Sequence, residues 1–237
     1  MAEDASGLSR SVEDYLKAIY SLCESGAVAS TSSIADALEV QPASVTGMVK
    51  RLAESGFLEH VPYRGVRLTD AGTREALRIL RRHRILETYL TERLGYRWEA
   101  VHQEAERLEH AASDELIERM AGALENPSHD PHGAPIPTPA GEIESTDSFT
   151  LGDLSPGVKA QVRAVRDDRA EGLKVAEAAG LLPGTGVLVV RRDLQKRVVL
   201  VKVGLPGKGE KEVPFDVAHR VYVVALPSDH ERGPRGG

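Results

Sequence analysis

The sequence lacks the residues that mark several common classes of protein. It has one cysteine, Cys23, so no intrachain disulfide can form and no cysteine-type structural zinc site can be built. That usage suits a reducing compartment. Aromatic residues make up only 4%, with one Trp, which disfavours recognition of single strands by base stacking. No apolar run approaches the ~20 residues of a membrane-spanning helix. The opening Met1-Ala2-Glu3-Asp4-Ala5-Ser6 has no basic-then-apolar signal pattern. A cytoplasmic protein with no membrane partner is expected.

Catalytic signatures are also scarce. There is no His-Glu-x-x-His, no glycine-rich phosphate loop closing on Lys-Ser/Thr, and no Gly-x-Ser-x-Gly. A di-iron bundle wants two Glu-x-x-His pairs, and only Glu99-x-x-His102 is found in the helical region. Cys23 falls on the inward stripe of a helix, where a thiol packs rather than attacks. The expectation is a protein that is not an enzyme and takes no small organic substrate.

What is present is an ordinary globular balance, with 41% hydrophobic and 28% charged residues over a chain of 237. That is long enough for more than one domain. Acids exceed bases by 36 to 30, which argues against a nonspecific nucleic-acid coat but leaves room for a local basic face. Residues 10–125 read as mostly helical. Residues 126–157 read as a linker, because Pro127, Pro131, Pro135, Pro137 and Pro139 exclude a long helix. From 158 the pattern changes: a helical stretch near 173–181, then Val-rich runs at 187–190, 198–203 and 221–225, give a small antiparallel β-barrel or sandwich. The expected division is 1–75, 76–145 and 146–226, with 227–237 a disordered tail.

The first part divides further. One helix covers about 11–25, with Leu16, Ile19, Tyr20 and Cys23 on one stripe. A second covers 31–38 after the capping candidates Thr31, Ser32 and Ser33. A third starts at Pro42, a tolerated first position, buries Val45, Met48, Val49 and Leu52, and stops at Ser55-Gly56. The runs 57–61 and 65–69 flank the turn Pro62-Tyr63-Arg64 as a hairpin. This is the order of a winged helix-turn-helix, whose third helix would enter a DNA major groove. Its outward face carries Gln41, Ala43, Ser44, Thr46, Gly47, Lys50 and Arg51, with Arg64 at the wing tip. Ser and Thr suit phosphates, Gln41 suits a base edge, and Arg64 suits a phosphate. A plain polar surface helix would look the same.

His102, Glu106, Glu109 and His110 stand at i, i+4, i+7 and i+8, one helical face, and His83 and Glu87 share another. Two such helices can converge on a divalent cation whose nitrogen and oxygen donors suit Mn, Fe, Co, Ni or Zn. Solvated i,i+4 pairs are the alternative. His129 and His132, in the proline-rich linker, are weaker ligand candidates and are expected as exposed side chains, and His60, His219 and His230 carry no site signal.

These blocks taken together resemble the diphtheria-toxin-repressor family of metal-dependent regulators, over residues 10–226. The resemblance lies in residues 11–20 (SVEDYLKAIY), 43–49 (ASVTGMV), 83–87 (HRILE), 102–110 (HQEAERLEH) and 132–137 (HGAPIP), with 180–184 (GLLPG) matching the SH3-like domain of longer members. It implies an α+β chain: a winged helix-turn-helix, a helical metal-binding and dimerisation domain, and a small SH3-like (FeoA-like) β-barrel. It also implies a homodimer that represses genes of metal homeostasis from a palindromic duplex operator when metal is bound.

The resemblance assigns the regulatory metal to Asp14, Glu106, Glu109 and His110, and a second position to His83, Glu87 and His102. Acidic residues at 14 and 106, where iron-type members carry Met and Cys, point to Mn(II), with Fe(II) the alternative. Lys17 stands where short manganese-type members have a second carboxylate, so a third-domain residue is the candidate to complete a second site, Glu171 first by alignment and Glu177 next. A metal-binding enzyme or buffer that uses the winged helix for protein contacts is the reading from another class. Leu108, Ala112, Leu116, Met120 and Leu124 form an apolar row expected to serve the dimer. Neither Glu109 nor His110 is expected in the apolar core.

Overall fold

The computed structural model describes residues 8–24, 26–144, 149–167, 169–204 and 209–226. The expected disordered tail, 227–237, lies outside them. The chain divides into two compact units: residues up to 89 with 104–128 and 136–144, and residues 90–103, 129–135 and those from 145 onward.

The first unit begins with three helices, α1 (Arg10–Cys23), α2 (Thr31–Ala37) and α3 (Pro42–Glu54), followed by a hairpin of β1 (Leu58–Val61) and β2 (Gly65–Leu68). Helices α2 and α3 show local start signals. The N-cap of α2 is Ser30, one residue ahead of the expected candidates. Its hydroxyl accepts from Ser33 N–H at 3.0 Å while Ser33 Oγ accepts from Ser30 N–H at 2.9 Å, a reciprocal capping box. Pro42 occupies the first turn of α3, as read from sequence.

The apolar stripes of these helices meet in one core. Leu16 and Ile19 from α1, Ile34 from α2, and Val45, Val49 and Leu52 from α3 are buried against Leu58 and Val66 of the hairpin. Tyr20 and Cys23 are only half-buried. Burial pushes the Cys23 thiol up from its ordinary range, which fits a packed thiol. Gly65 returns the wing at φ +134° against Ala29, where a Cβ would sit 2.1 Å from the Ala29 carbonyl oxygen, so only glycine fits.

Then come α4 (Asp70–Leu94), α5 (Val101–Leu108) and α6 (Asp114–Ala123). The chain breaks between α5 and α6, where Ser113 caps α6 by accepting from Leu116 N–H at 3.3 Å. The apolar row from Leu108 to Leu124 is therefore not one helical face. Leu108 and Leu116 are exposed, while Ala112 and Leu124 are buried. The proline-rich stretch also differs from its reading as a linker: Ile136 is buried, and Pro137 O accepts from Arg81 Nη1 at 2.9 Å.

The second unit is an antiparallel sheet in the order β3-β8-β4-β5-β6-β7, with α7 (Ala170–Ala179) and the short α8 (Phe215–Ala218). Its strands are β3 (Phe149–Thr150), β4 (Lys159–Val165), β5 (Gly186–Asp193), β6 (Val198–Val203), β7 (Glu210–Pro214) and β8 (Val221–Ala225). Strands β5, β6 and β8 are the valine runs of the sequence. Val162, Val187, Val189, Val199, Val201, Val221 and Val223 are all buried, packed with Leu173 and Ala176 of α7. This is the small SH3-like sheet of the expected α+β fold. His132, expected to be exposed, is buried: its Nε2 lies 2.9 Å from Trp98 O, and the two rings are 4.9 Å apart. Asp130 Oδ1 makes this turn by accepting from the backbone N–H of His132 and Ala134. No helix among the described residues is long and apolar enough to cross a membrane.

Candidate metal centre and nucleic-acid interface

The first turns of α1 bury Val12, Leu16 and Ile19 on one side and turn Glu13, Asp14 and Lys17 to another. Those three polar side chains meet the end of α5. Glu109 is still held in helical geometry by its N–H on Ala105 O, and His110 opens the turn that follows. The ligand atoms of Asp14, Glu106, Glu109 and His110 all lie within 4.8 Å of one another.

The orientation of His110 is set by a residue that the sequence reading left out. Glu13 is 1% exposed, and its Oε2 lies 2.7 Å from His110 Nδ1. Nδ1–H donates to that carboxylate, which turns Nε2 toward the cluster. There Nε2 lies 3.0 Å from Asp14 Oδ1 and 3.4 Å from Glu109 Oε1, buried and without hydrogen-bond geometry to either. A carboxylate that fixes the far nitrogen of a ligating imidazole is the usual support of a metal-bound histidine. Glu13 also lies 3.4 Å from Arg82 Nη1 and 3.6 Å from Arg78 Nη2. The signal available in sequence was Glu13 at i−3 from Leu16 on a helix whose buried stripe it borders.

Glu109 is the most buried of the four, with a side chain 0% exposed, against the expectation that it lies outside the core. It is paired on both oxygens. Oε1 accepts from Lys17 Nζ at 2.6 Å, and Oε2 lies 2.5 Å from His83 Nδ1. Lys17 Nζ also reaches Glu106 Oε1 at 2.5 Å. Burial would raise the Glu109 carboxyl, but the bond to His83 and the Lys17 ammonium hold it down at about 2. Burial would lower His110, yet Asp14, Glu13 and the Glu109 charge outweigh it and hold the imidazole at about 9. His83 is likewise raised to about 10, its burial outweighed by Glu87 and Glu109.

Three carboxylates and one imidazole with an aimed nitrogen fit a hard or borderline divalent ion, which such a site would hold through Asp14, Glu106, Glu109 and His110. Of the other expected ligands, His83 Nε2 lies 3.1 Å from Glu87, and both side chains are buried. His102 lies on the part of α5 that belongs to the second unit. Glu171 is exposed on α7, 4.0 Å from Lys174 Nζ, and joins no group of three or more potential ligands among the described residues.

The expected DNA-contacting residues form an open surface. Ala43, Ser44, Thr46, Gly47, Lys50 and Arg51 are exposed on α3, Gln41 is exposed at its N-cap, and Arg64 is exposed at the wing tip beside Tyr63, which holds φ +60°. A Cβ at Gly47 would meet no neighbouring atom, so this glycine answers no packing demand inside the chain.

Comparison with known proteins agrees with this division of labour. Residues 7–66 match the family model "Iron dependent repressor, N-terminal DNA binding domain", 69–138 match "Iron dependent repressor, metal binding and dimerisation domain", and 149–225 match the FeoA domain. The diphtheria toxin repressor of Corynebacterium efficiens is 32% identical over 221 residues, covering 89% of this chain and 94% of that protein. The transcriptional regulator MntR of Oceanobacillus iheyensis is 41% identical over 110 residues, 46% of this chain and 74% of that one. Among solved structures, a manganese-dependent transcriptional repressor in complex with manganese superposes with TM-score 0.82 at 33% identity, over 91% of this chain and all of the other. With a DNA-reading segment, a divalent-metal-binding and dimerisation segment and an SH3-like sheet in one chain, the protein belongs to the diphtheria toxin repressor family of metal-dependent transcriptional repressors, which are not enzymes.

Proposed function

We propose that the protein is a Mn(II)-responsive repressor of metal-homeostasis genes, acting in the cytoplasm as a homodimer on a palindromic duplex. The observation that carries this reading is the convergence of Asp14, from the helix that packs inside the DNA-reading core, with Glu106, Glu109 and His110 from α5 and its exit turn. A divalent ion held by these four supplies charge neutralisation and a cross-link between the two segments. The protein's own groups do the rest. Glu13 fixes the His110 tautomer, His83 fixes Glu109, and α1 transmits its position to α3 through the shared core of Leu16, Ile34 and Val49.

The donor set suits manganese relative to a thiolate site, with selectivity resting on geometry and on which metal the cell supplies. It contains no sulfur, so it gives up the thiolate preference for Fe(II), Co(II) and Zn(II). A second metal position at His83, Glu87 and His102 belongs to the same reading, as does a three-part division at about 75 and 145. Fe(II) is the competing signal, supported by relatives that carry the name iron-dependent repressor, such as that of Mycobacterium leprae. Duplexes selected from a random pool under saturating metal provide the assay. Anaerobic titrations of Mn(II) and Fe(II) against duplex binding should show Mn(II) acting at the lower free concentration, with binding lost on chelation. Equal duplex affinity with and without metal would sink the mechanism, and a lower threshold for Fe(II) would reassign the signal.

A further inference from the structure

Among the described residues, Lys17 is the cation inside the ligand cluster that no metal-binding role explains. Its ammonium lies 2.5 Å from Glu106 Oε1 and 2.6 Å from Glu109 Oε1, two of the four proposed ligand side chains, and its side chain is only 17% exposed. It stands on α1, one turn after Asp14 and Glu13, so the contact ties the DNA-reading segment to the end of α5. We propose that Lys17 is a built-in competitor of the metal: its ammonium and a divalent ion claim the same carboxylate oxygens, and the lysine thereby sets the metal concentration at which the protein responds.

The argument is one of charge and space. Asp14, Glu106 and Glu109 bring three negative charges within 4.8 Å. Left alone at that distance they repel strongly in a half-buried site. The Lys17 ammonium offsets one of those charges and donates a short hydrogen bond to each of the two glutamates. A divalent ion that uses Glu106 and Glu109 must take oxygens that the ammonium already holds. Lys17 then has to swing aside, losing two charge-assisted bonds, with its ammonium still tethered to α1 one turn from Asp14. Both effects weaken metal binding. The same charge makes a second divalent ion between Glu106 and Glu109 unfavourable, so the cluster of Asp14, Glu106, Glu109 and His110 takes one ion. The contact also gives the metal-free protein an α1–α5 tie that a site built of carboxylates alone would lack.

This inference rests on the proposed metal site, and the test separates the two. Isothermal calorimetry with Mn(II) alone, under nitrogen, is run on the full-length protein and on Lys17→Met, Lys17→Arg and Glu109→Gln. Lys17→Met keeps the length of the side chain without its charge. It should bind Mn(II) at least about tenfold more tightly, which corresponds to about 1.4 kcal/mol. Its metal-free form should melt at a lower temperature, so the melting-temperature gain on adding Mn(II) grows. Lys17→Arg, which retains the charge, should stay within about threefold of the native affinity and shows that position 17 tolerates change. If native protein binds Mn(II), Glu109→Gln does not, and Lys17→Met binds no more tightly than native, the lysine is a structural pair and the inference is overturned. If native protein and Glu109→Gln bind Mn(II) alike, the metal site itself is wrong.

Discussion

Glu13 offers the sharpest test of how the centre is held together. Its carboxylate accepts from His110 Nδ1–H at 2.7 Å and is 1% exposed. A charge-assisted hydrogen bond of this kind contributes about 1.5–3 kcal/mol, and losing such a support of a metal-bound histidine costs about 10–100-fold in metal affinity. Glu13→Gln keeps an acceptor oxygen for Nδ1–H and removes the charge, so it belongs at the lower end, about tenfold. Glu13→Ala removes both and belongs near 100-fold. It should also lose more stability, because Arg82 and Arg78 lie 3.4 and 3.6 Å from the same carboxylate.

The measurement has to separate two opposing effects. The native His110 holds its proton to about 9, so at pH 7 a metal must displace it. Without the Glu13 charge the imidazole moves back toward its ordinary range and gives the proton up more easily, which masks part of the loss. Mn(II) calorimetry at pH 7 and at pH 8.5 should therefore show a larger deficit for Glu13→Gln at the higher pH. A variant that matches native affinity within twofold at pH 8.5, or an alanine variant that outperforms the glutamine one, would refute the claim that Glu13 orients His110.

Four further outcomes follow. Between about pH 7 and 9 the Mn(II) affinity should rise up to tenfold per pH unit and then flatten, because one proton leaves His110 per ion bound; a pH-independent affinity would count against it. The folded pKa values of His110 and His83 lie above the ordinary histidine value, so in excess chelator their contribution to stability is complete below about pH 6.5. The melting temperature should fall as pH rises toward 9 and 10, and a flat profile would contradict the pairing seen here. Glu106→Cys should tilt activation away from Mn(II) and toward Fe(II), Co(II) and Zn(II) in duplex-binding titrations. Arg64→Ala should weaken duplex binding across sequences and lower the salt slope by about one unit, with metal affinity measured without DNA unchanged.

Much of the first unit was legible because its signals are local. Pro42 starts α3, Ser55-Gly56 ends it, and the hairpin follows from two short apolar runs around a turn. The four principal metal candidates come together in the structure: Glu106, Glu109 and His110 lie within five residues of one another in sequence, and Asp14 enters by resemblance. What escaped was set by tertiary packing. A buried glutamate such as Glu13 has the same one-letter signature as a solvated one. The break at Ser113 cuts an apolar row that looked continuous at helical spacing. His132 sits in a run of prolines that suggests exposure, and only the Asp130 turn and the Trp98 ring reveal it as packed. Glu109 looked peripheral because a charged residue near a helix end usually is, whereas here Lys17 and His83 neutralise it from both sides.

The two-sided character of α1 reaches beyond the metal site. It is a rod of 14 residues, about 21 Å long, with Leu16 and Ile19 embedded in the core that carries α3, and with Asp14 and Lys17 engaged at the end of α5. On the proposed reading, anything that fixes α3 on a duplex also fixes the ligand helix, so DNA and metal would tighten each other by the same factor. A stronger operator is then occupied at a lower metal concentration than a weaker one by the same protein. A cell could set the order in which its genes fall silent, as metal accumulates, entirely in the spelling of its operators, with no change to the sensor.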